Sequence, residues 1–446
     1  MSDLILTRRG FVGGAACLPL LTLPGVAGAQ RLSPLAAAAE EAWLYGLALI
    51  ENAGARDEVR RGGTAPNTML HARDLTTPAN QFVTTPNNDT LYSRAWLDLS
   101  QGPVRLTIPR TGNRYISVAL MDMYTNNFAV LGTRTTGADG GRFTIVGPTA
   151  PSDDPRAIRS PTRWVWLLSR VLVDGQSDLA AARAVQDAVR VEGSATTWAT
   201  RPPVPRTANA MTYFSAVQAL LMENQPPATD DTFFERIRPL GFGPRGGFDP
   251  ARFSRAERAE IEAGVASGRV RLRSTRRQGP VANGWSYPKS NLGDYGQDYF
   301  YRAQVAVGGL AALPNAEAMY MRPVNAEGGN PFDSAKNWVL RLPAQQLPPV
   351  DAFWSLTMYR MTPEGQYFLF DNPVDRYAIG DRTAGLKRGS DGGIDIWMSR
   401  GDPGVSRRSN WLPTPPSGPF GVVFRAYLPL APLIDGTYRL PELQLA

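Results

Sequence analysis

Thiols, imidazoles and amines are nearly missing from this chain. Cys17 is the sole cysteine, His71 the sole histidine, and Lys289, Lys336 and Lys387 the only lysines among 446 residues. One histidine rules out a multi-histidine zinc site, and a Ser-His-Asp triad is possible only if His71 itself serves. The formal charge of +7 is therefore almost all arginine, which is most simply a GC-rich genome's choice of basic residue. No long apolar run suited to spanning a membrane is present. Walker loops, H-E-x-x-H, the G-x-S-x-G elbow and a Rossmann fingerprint after the right elements are also missing.

The N-terminus does carry a readable signal. Thr7-Arg8-Arg9-Gly10-Phe11 precedes an apolar run from Val12 to Leu23, and Ala27-Gly28-Ala29 then supplies a small-residue cleavage site. This pattern predicts a twin-arginine export signal over residues 1–29, with the mature chain starting near Gln30. Cleavage removes Cys17 and lowers the net charge to about +6. The expected address is the periplasm or beyond, reached by a chain already folded. No disulfide or thiol nucleophile is then available, and a chain of this length does not need staples.

Ser33-Pro34 reads as an N-cap and first-turn proline opening a helix that runs to about Ile50. The expected organisation is a helical segment at 30–75, a first β-sandwich at 76–176, a helical insert at 177–320 and a second β-sandwich at 321–446. The β texture shows in runs such as Val104-Arg105-Leu106, Tyr115-Ile116-Ser117 and Trp164-Val165-Trp166. It returns after Asn337, and the two β regions look like copies. Arg105 and Ser117 match Arg341 and Ser355, and Asp139-Gly140-Gly141 matches Asp391-Gly392-Gly393, each a turn feeding a strand. The fold class expected is mainly β with a helical insert: two jelly-roll-like antiparallel β-sandwich domains from an internal duplication. The stretch Arg269-Val270-Arg271-Leu272-Arg273 alternates, and as a strand it would place three arginines on one face.

Three polar groups are candidates for chemistry. In Asn87-Asn88-Asp89-Thr90-Leu91-Tyr92-Ser93-Arg94, strand parity puts Tyr92 and Arg94 on one face; Asp89 and Tyr92 suit acid–base work, and Asn88 and Arg94 suit anion binding. The alternative is an Asx-type turn with Tyr92 in the core. Asp122, Tyr124 and Asn126 share a strand-end face, either lining a cleft or bonding loops. In Asp294 to Arg302, helical spacing would bring Asp294, Asp298, Tyr301 and Arg302 together, as a site or as interdomain packing. The candidate catalytic set is Asp89, Tyr92 and Tyr301. The candidate binding set is Asn88, Arg94, Asp122, Tyr124, Asn126 and Arg302, and a cleft between the first sandwich and the helical insert is expected to hold Asp89, Tyr92, Arg94, Tyr301 and Arg302. No metal and no cofactor is expected.

Two longer motifs extend the reading. The segment Thr84 to Ser93, with Leu97-Asp98-Leu99, Gly102-Pro103 and Tyr124-Thr125-Asn126, resembles Domain of Unknown Function 1254. Phe353 to Tyr359, Arg376-Tyr377, Asn410 to Pro413 and Arg425-Ala426-Tyr427 resemble Domain of Unknown Function 1214. The resemblance implies a pair of β-sandwiches with a helical insert and bacterial export, and it implies no activity. The function expected from the residues is an exported hydrolase or lyase acting on a small or oligomeric anionic or carbonyl-bearing substrate through Asp, Tyr and Arg. A non-catalytic protein binding a glycan or other envelope ligand is the alternative, and a structural module of the envelope is the third reading. Nucleic acid and an integral membrane segment are not expected, and a homo-oligomer remains open.

Overall fold

The computed structural model describes residues 31–80, 84–198, 203–274, 279–324, 331–363 and 365–446. The export signal, Arg276 and Arg277 lie outside the described residues.

Helix α1 (Pro34–Arg61) opens as its sequence requires: Ser33 Oγ accepts the Ala36 N–H at 3.2 Å, and Pro34 occupies the first turn. Its middle, from Ala42 to Ile50, is buried on every side, the mark of a helix at the centre of a core rather than on a surface. After the first sandwich, α2 (Leu179–Ala188), α3 (Ala210–Glu223), α4 (Asp231–Arg236), α5 (Arg255–Ser274) and α6 (Tyr299–Gly308) follow, and α7 (Ala431–Asp435) comes near the end. Helices α3, α5 and α6 surround α1, so the helical segments from both sides of the first sandwich share one core. Two glycines let α5 lie against α1. A Cβ at Gly264 would stand 2.0 Å from the Ala36 carbonyl oxygen, and one at Gly268 would stand 2.9 Å from the Trp43 ring.

That packing corrects the strand expected at Arg269–Arg273. These residues form the last turns of α5. Arg269 Nη2 donates to the Ala208 carbonyl at 2.6 Å and Arg271 pairs with Glu40 at 2.9 Å. The alternation has the period of a strand, and the helix overrides it at the cost of leaving Val270 exposed; arginine is a good helix former, and the facing α1 decides the outcome.

The first sandwich holds β1 (Leu70–His71), β2 (Thr90–Asp98), β3 (Val104–Ile108), β4 (Ile116–Met121), β5 (Asn127–Gly132), β6 (Gly141–Val146), β7 (Ile158–Arg159), β8 (Trp164–Leu172) and β9 (Arg190–Glu192). Its sheets run β1-β2-β8-β4-β5 and β7-β6-β3-β9. Leu91, Leu97, Leu106, Ile116, Val118, Ile145 and Leu167 fill the space between them. The second holds β10 (Val281–Ala282), β11 (Trp285–Ser286), β12 (Ala318–Pro323), β13 (Phe332–Asp333), β14 (Trp338–Leu342), β15 (Val350–Met361), β16 (Tyr367–Phe368), β17 (Ala378–Gly380), β18 (Ile394–Ser399), β19 (Trp411–Pro413), β20 (Pro419–Pro429) and β21 (Leu443–Leu445). Its sheets run β10-β11-β12-β20-β15-β16, with β17 also on β15 and β13 on β20, and β19-β18-β14-β21.

The halves repeat pairing by pairing. β2-β8-β4-β5 corresponds to β12-β20-β15-β17, and β7-β6-β3-β9 to β19-β18-β14-β21. Ser117 lies opposite Arg170 and Gly132, while Ser355 lies opposite Arg425 and Gly380. Asp139 and Asp391 each sit in the turn before the matching strand, β6 or β18. The match reaches glycine packing: a Cβ on Gly132 would meet the Ile116 carbonyl oxygen at 2.2 Å, and one on Gly380 the Trp354 carbonyl oxygen at 2.1 Å. The duplication expected from the motifs is therefore carried by the register. One detail differs from a purely antiparallel plan, because β7 on β6 and β19 on β18 are parallel.

The sandwiches meet through their large sheets. Tyr115, Ala119 and Leu172 pack on Ala318, Phe353 and Tyr427. Phe353 stacks on Tyr427 with centroids 4.1 Å apart, and Tyr115 meets Phe353 edge-on. Among the described residues, no helix is long and apolar enough to cross a membrane.

Candidate functional site

Strand parity decides what lies outside each sandwich core. On β2, Leu91, Ala95 and Leu97 point into the core, which turns Tyr92, Arg94 and Trp96 to the other face. On neighbouring β8 the same rule turns out Trp166, Leu168 and Arg170, in register with Trp96, Arg94 and Tyr92. The second sandwich does the same: Tyr320 on β12 stands opposite Arg425 on β20. Tyr92 with Arg170, and Tyr320 with Arg425, are thus equivalent pairs of the duplication.

Both pairs open on one cavity of about 750 Å³. Glu51, Ala55 and Glu58 of α1 line one side, and Tyr301, Val305 and the Leu310–Ala312 segment line another. The segment Thr84–Asn87 crosses the floor. Leu70, His71, Trp166, Leu168, Leu292 and Val423 complete walls that are largely apolar. A concave apolar site with a few convergent polar groups is the usual form of a small-molecule pocket.

Tyr92 is the best-served polar group of the floor. Its phenol oxygen accepts from Arg170 Nε at 3.3 Å and from Asn87 Nδ2 at 3.2 Å. Burial pushes its pKa up, but the charge and hydrogen bond of Arg170, the Arg425 charge and the Asn87 hydrogen bond outweigh it, so the phenol is more acidic than usual. Tyr320, on the equivalent strand, is raised instead, because burial dominates there. Asn87 also donates to Tyr427 Oη at 2.7 Å, which ties the phenols of the two halves together.

The two arginines differ in how they are used. Arg425 Nη1 donates to Thr357 Oγ1 at 2.7 Å, and its Nη2 donates to Tyr359 Oη at 2.9 Å and to the Thr85 carbonyl at 3.0 Å. Thr85 is held at φ +51°, a left-handed conformation rare for a β-branched residue. Arg170 Nη2 donates to the Ala311 carbonyl at 2.9 Å, while its buried Nη1 has no hydrogen-bond partner among the described residues. Neither guanidinium forms an ion pair among the described residues, although Arg170 is only 4% and Arg425 3% exposed.

Two further polar features line the wall. Arg94 pairs with Glu58 at 3.0 Å. His71 Nδ1 lies 2.8 Å from Ser93 Oγ, and burial followed by the nearby Arg73 charge lowers its pKa, so it is neutral at pH 7. Ser93 is 1% exposed and is not on the cavity wall, so this contact does not present a serine nucleophile. Among the described residues, no three His, Cys, Asp or Glu side chains gather as a metal site.

The structure brings Tyr92, Arg94 and Tyr301 to the cavity and leaves six sequence-predicted residues off its wall. Asp89 lies behind the floor, accepting the Ser355 hydroxyl at 2.7 Å across the junction of the halves. Asn88 donates to the Thr76 carbonyl at 2.6 Å. Asp122 Oδ1 accepts the N–H groups of Tyr124 and Asn126, both at 2.9 Å, which makes it the organiser of a buried turn. Tyr124 donates to the Asn224 carbonyl at 2.6 Å, and Asn126 Oδ1 accepts the Tyr295 N–H at 3.1 Å.

Arg302 requires a correction: it does not converge with Arg94. Its guanidinium lies 4.6, 5.0 and 5.6 Å from the ring centroids of Tyr45, Tyr299 and Tyr124 inside the helical core. The cause is the period of α6. Gly296, at φ +51°, breaks the segment expected to be helical from Asp294, and Asp298 caps a helix beginning at Tyr299. Consecutive residues then diverge by about 100° around the axis, so Tyr301 reaches the cavity wall while Arg302 faces α1.

Sequence reasoning left Arg170, Tyr320, Arg322 and His71 outside the candidate site. Arg170 had a signal, the one charge in the run Trp164–Leu172, which is apolar apart from it and Ser169. Aligning the two copies on Ser117 and Ser355 finds it again, opposite the arginine of the Arg425-Ala426-Tyr427 motif.

Two protein families and a solved structure resemble this chain. The protein of unknown function family DUF1254 matches residues 66–193, and DUF1214, also of unknown function, matches residues 317–431. The crystal structure of the VPA0106 protein from Vibrio parahaemolyticus is similar over 92% of this chain and 100% of its own, at 23% identity and a TM-score of 0.71. An uncharacterised protein from Burkholderia cenocepacia aligns at 13% identity over 93% and 94% of the two chains, with a TM-score of 0.45. No curated protein matches the chain. The Vibrio structure supports the fold and says nothing about the chemistry.

Proposed function

We propose that this chain, which belongs to the proteins joining a DUF1254 region to a DUF1214 region, is an exported enzyme that moves a proton on a small carbonyl-bearing or anionic substrate. The cavity between the sandwiches is its active site. One observation carries the reading: on the cavity wall, the Tyr92 oxygen accepts from both Arg170 and Asn87, so its ionised form is stabilised where a ligand can meet it. The residues of the wall fit elimination better than hydrolysis. Tyr92 as phenolate takes the proton from the carbon beside the carbonyl, and the electron pair moves onto the carbonyl oxygen, where Arg170 stabilises the charge. Collapse of that enolate forms the double bond and expels the β-substituent, which takes the abstracted proton from the Tyr92 phenol, so the phenolate is restored and the net change is loss of a neutral acid or alcohol. A hydrolase would require a poised nucleophile or water, and the His71–Ser93 contact does not provide one.

The test pairs a screen with one substitution. The purified mature chain is incubated with uronates, β-substituted carboxylates, esters and glycosides, and conjugated products are followed by ultraviolet absorbance. Tyr92→Phe is expected to lose roughly 10²–10⁴-fold in turnover with ligand affinity kept within about threefold. Turnover retained in Tyr92→Phe refutes the proton-transfer role. Binding without turnover across the panel favours the non-catalytic alternative.

A further inference from the structure

The duplication delivers two equivalent buried arginines to one floor, and they have taken different jobs. Arg425 spends its Nη donors on Thr357, Tyr359 and the backbone of Thr85 and Pro86, so it clamps the segment that carries Asn87. Arg170 keeps Nη1 without a hydrogen-bond partner among the described residues. Charge points the same way. Arg134, Arg170 and Arg425 gather around two carboxylates: Glu317, paired with Arg134 at 2.7 Å, and Asp89, bonded to Ser355. The floor is therefore cationic, with one guanidinium not fully used, and a buried cation gains most from an anion that can also accept its hydrogen bond. Away from the floor, Leu70, Trp166, Leu168 and Leu310 offer an apolar surface.

We infer that the cavity selects a monocarboxylate with an apolar body, its carboxylate held by Arg170 and its body against the Trp166 wall. This inference rests on the reading of the cavity as a ligand site, but not on proton transfer by Tyr92. A ligand charged at both ends would have to desolvate its second carboxylate against apolar side chains, so charge at one end only is the distinguishing feature.

The probes are decanoate, decanol and decanedioate, titrated into the full mature chain by calorimetry, with Trp166 contributing a fluorescence signal. Decanoate is expected to bind at least tenfold more tightly than either of the others. Arg170→Met is expected to abolish that preference, lowering decanoate affinity at least tenfold while leaving decanol within about twofold, and Arg170→Lys to restore part of it. Equal affinity for decanoate and decanol, equal or tighter binding of decanedioate, no binding of any probe, or full decanoate affinity in a folded Arg170→Met would each overturn the inference. If Arg170→Met does not fold, the ranking of the three probes on the natural protein decides. Tyr92→Phe should keep the decanoate preference. A failure of Tyr92-dependent turnover with the preference intact therefore removes the enzymatic reading alone.

Discussion

Adding one methyl group at Gly380 tests the duplication where it is most demanding. An alanine Cβ there would lie 2.1 Å from the Trp354 carbonyl oxygen and 3.1 Å from the Ser355 Cα. Both are backbone atoms of β15, the strand that pairs with β17 through Ser355 and Gly380, so no side chain can swing aside. Relief requires the two strands to separate, and overpacking of this kind costs about 1–3 kcal/mol. We expect about 2–3 kcal/mol for Gly380→Ala. Gly132→Ala repeats the clash at 2.2 Å from the Ile116 oxygen and adds a backbone φ of +131°, so it should cost about 1 kcal/mol more. Gly54→Ala is the control. That glycine lies inside α1, and nothing stands within 4 Å of the added carbon, so the helix should gain about 0.5–1 kcal/mol. Urea unfolding of the three variants, with the slope checked for constancy, measures the differences. Gly380→Ala and Gly132→Ala within 0.5 kcal/mol of the parent (about the scatter of neutral surface changes) would show that the matched close approaches are not constraints. The register argument for the duplication would then lose its energetic support.

Asp122 predicts a pH effect. Burial pushes its pKa from 3.8 up to about 6, against the pull of its hydrogen bonds with Asn126 and of the Arg302 charge. Folding therefore favours the protonated acid: its contribution is full below about pH 4 and is lost as pH rises through about 6. Asp122→Asn should remove a fall on the order of 2 kcal/mol between those values, seen as a flatter dependence of the urea midpoint on pH. An identical pH profile in the two proteins would contradict this account. Replacing Arg8-Arg9 with Lys-Lys should leave the precursor in the cytoplasm, because the export receptor reads the arginine pair. Fractionation and N-terminal sequencing check this, and unaltered export or a mature terminus far from Gln30 would count against the signal assignment.

Local rules worked where neighbours in the chain set the outcome. Ser33-Pro34 announced α1 because capping and a fixed proline φ are properties of adjacent residues. The two Asp-Gly-Gly turns and the alternation on β2 were equally legible, which is why Tyr92 and Arg94 were correctly placed on one face. The duplication was visible because both copies retain the same turn and strand pattern.

Tertiary packing decided the rest. Arg269–Arg273 became helix against its strand-like alternation because α1 lies alongside and Glu40 and the Ala208 carbonyl receive its arginines. Packing of α6 against α1 turned Tyr301 to the cavity and Arg302, the next residue, into the ring of Tyr45, Tyr124 and Tyr299 rather than the expected cleft. Asp122 and Asn126 became turn organisers because the backbone donors around them needed acceptors once buried. The cavity itself belongs to no segment. It is lined by both sandwiches and by α1 and α6, which brings Arg170 and Arg425 onto one floor from positions 255 residues apart in the chain. The amino-acid order determined the strands, the turns, the first helix and the repeat, since these follow from periodicity and short-range sterics. Which polar side chains face one another across the molecule followed only from how those pieces pack, because burial and hydrogen-bond satisfaction are settled by the whole fold at once.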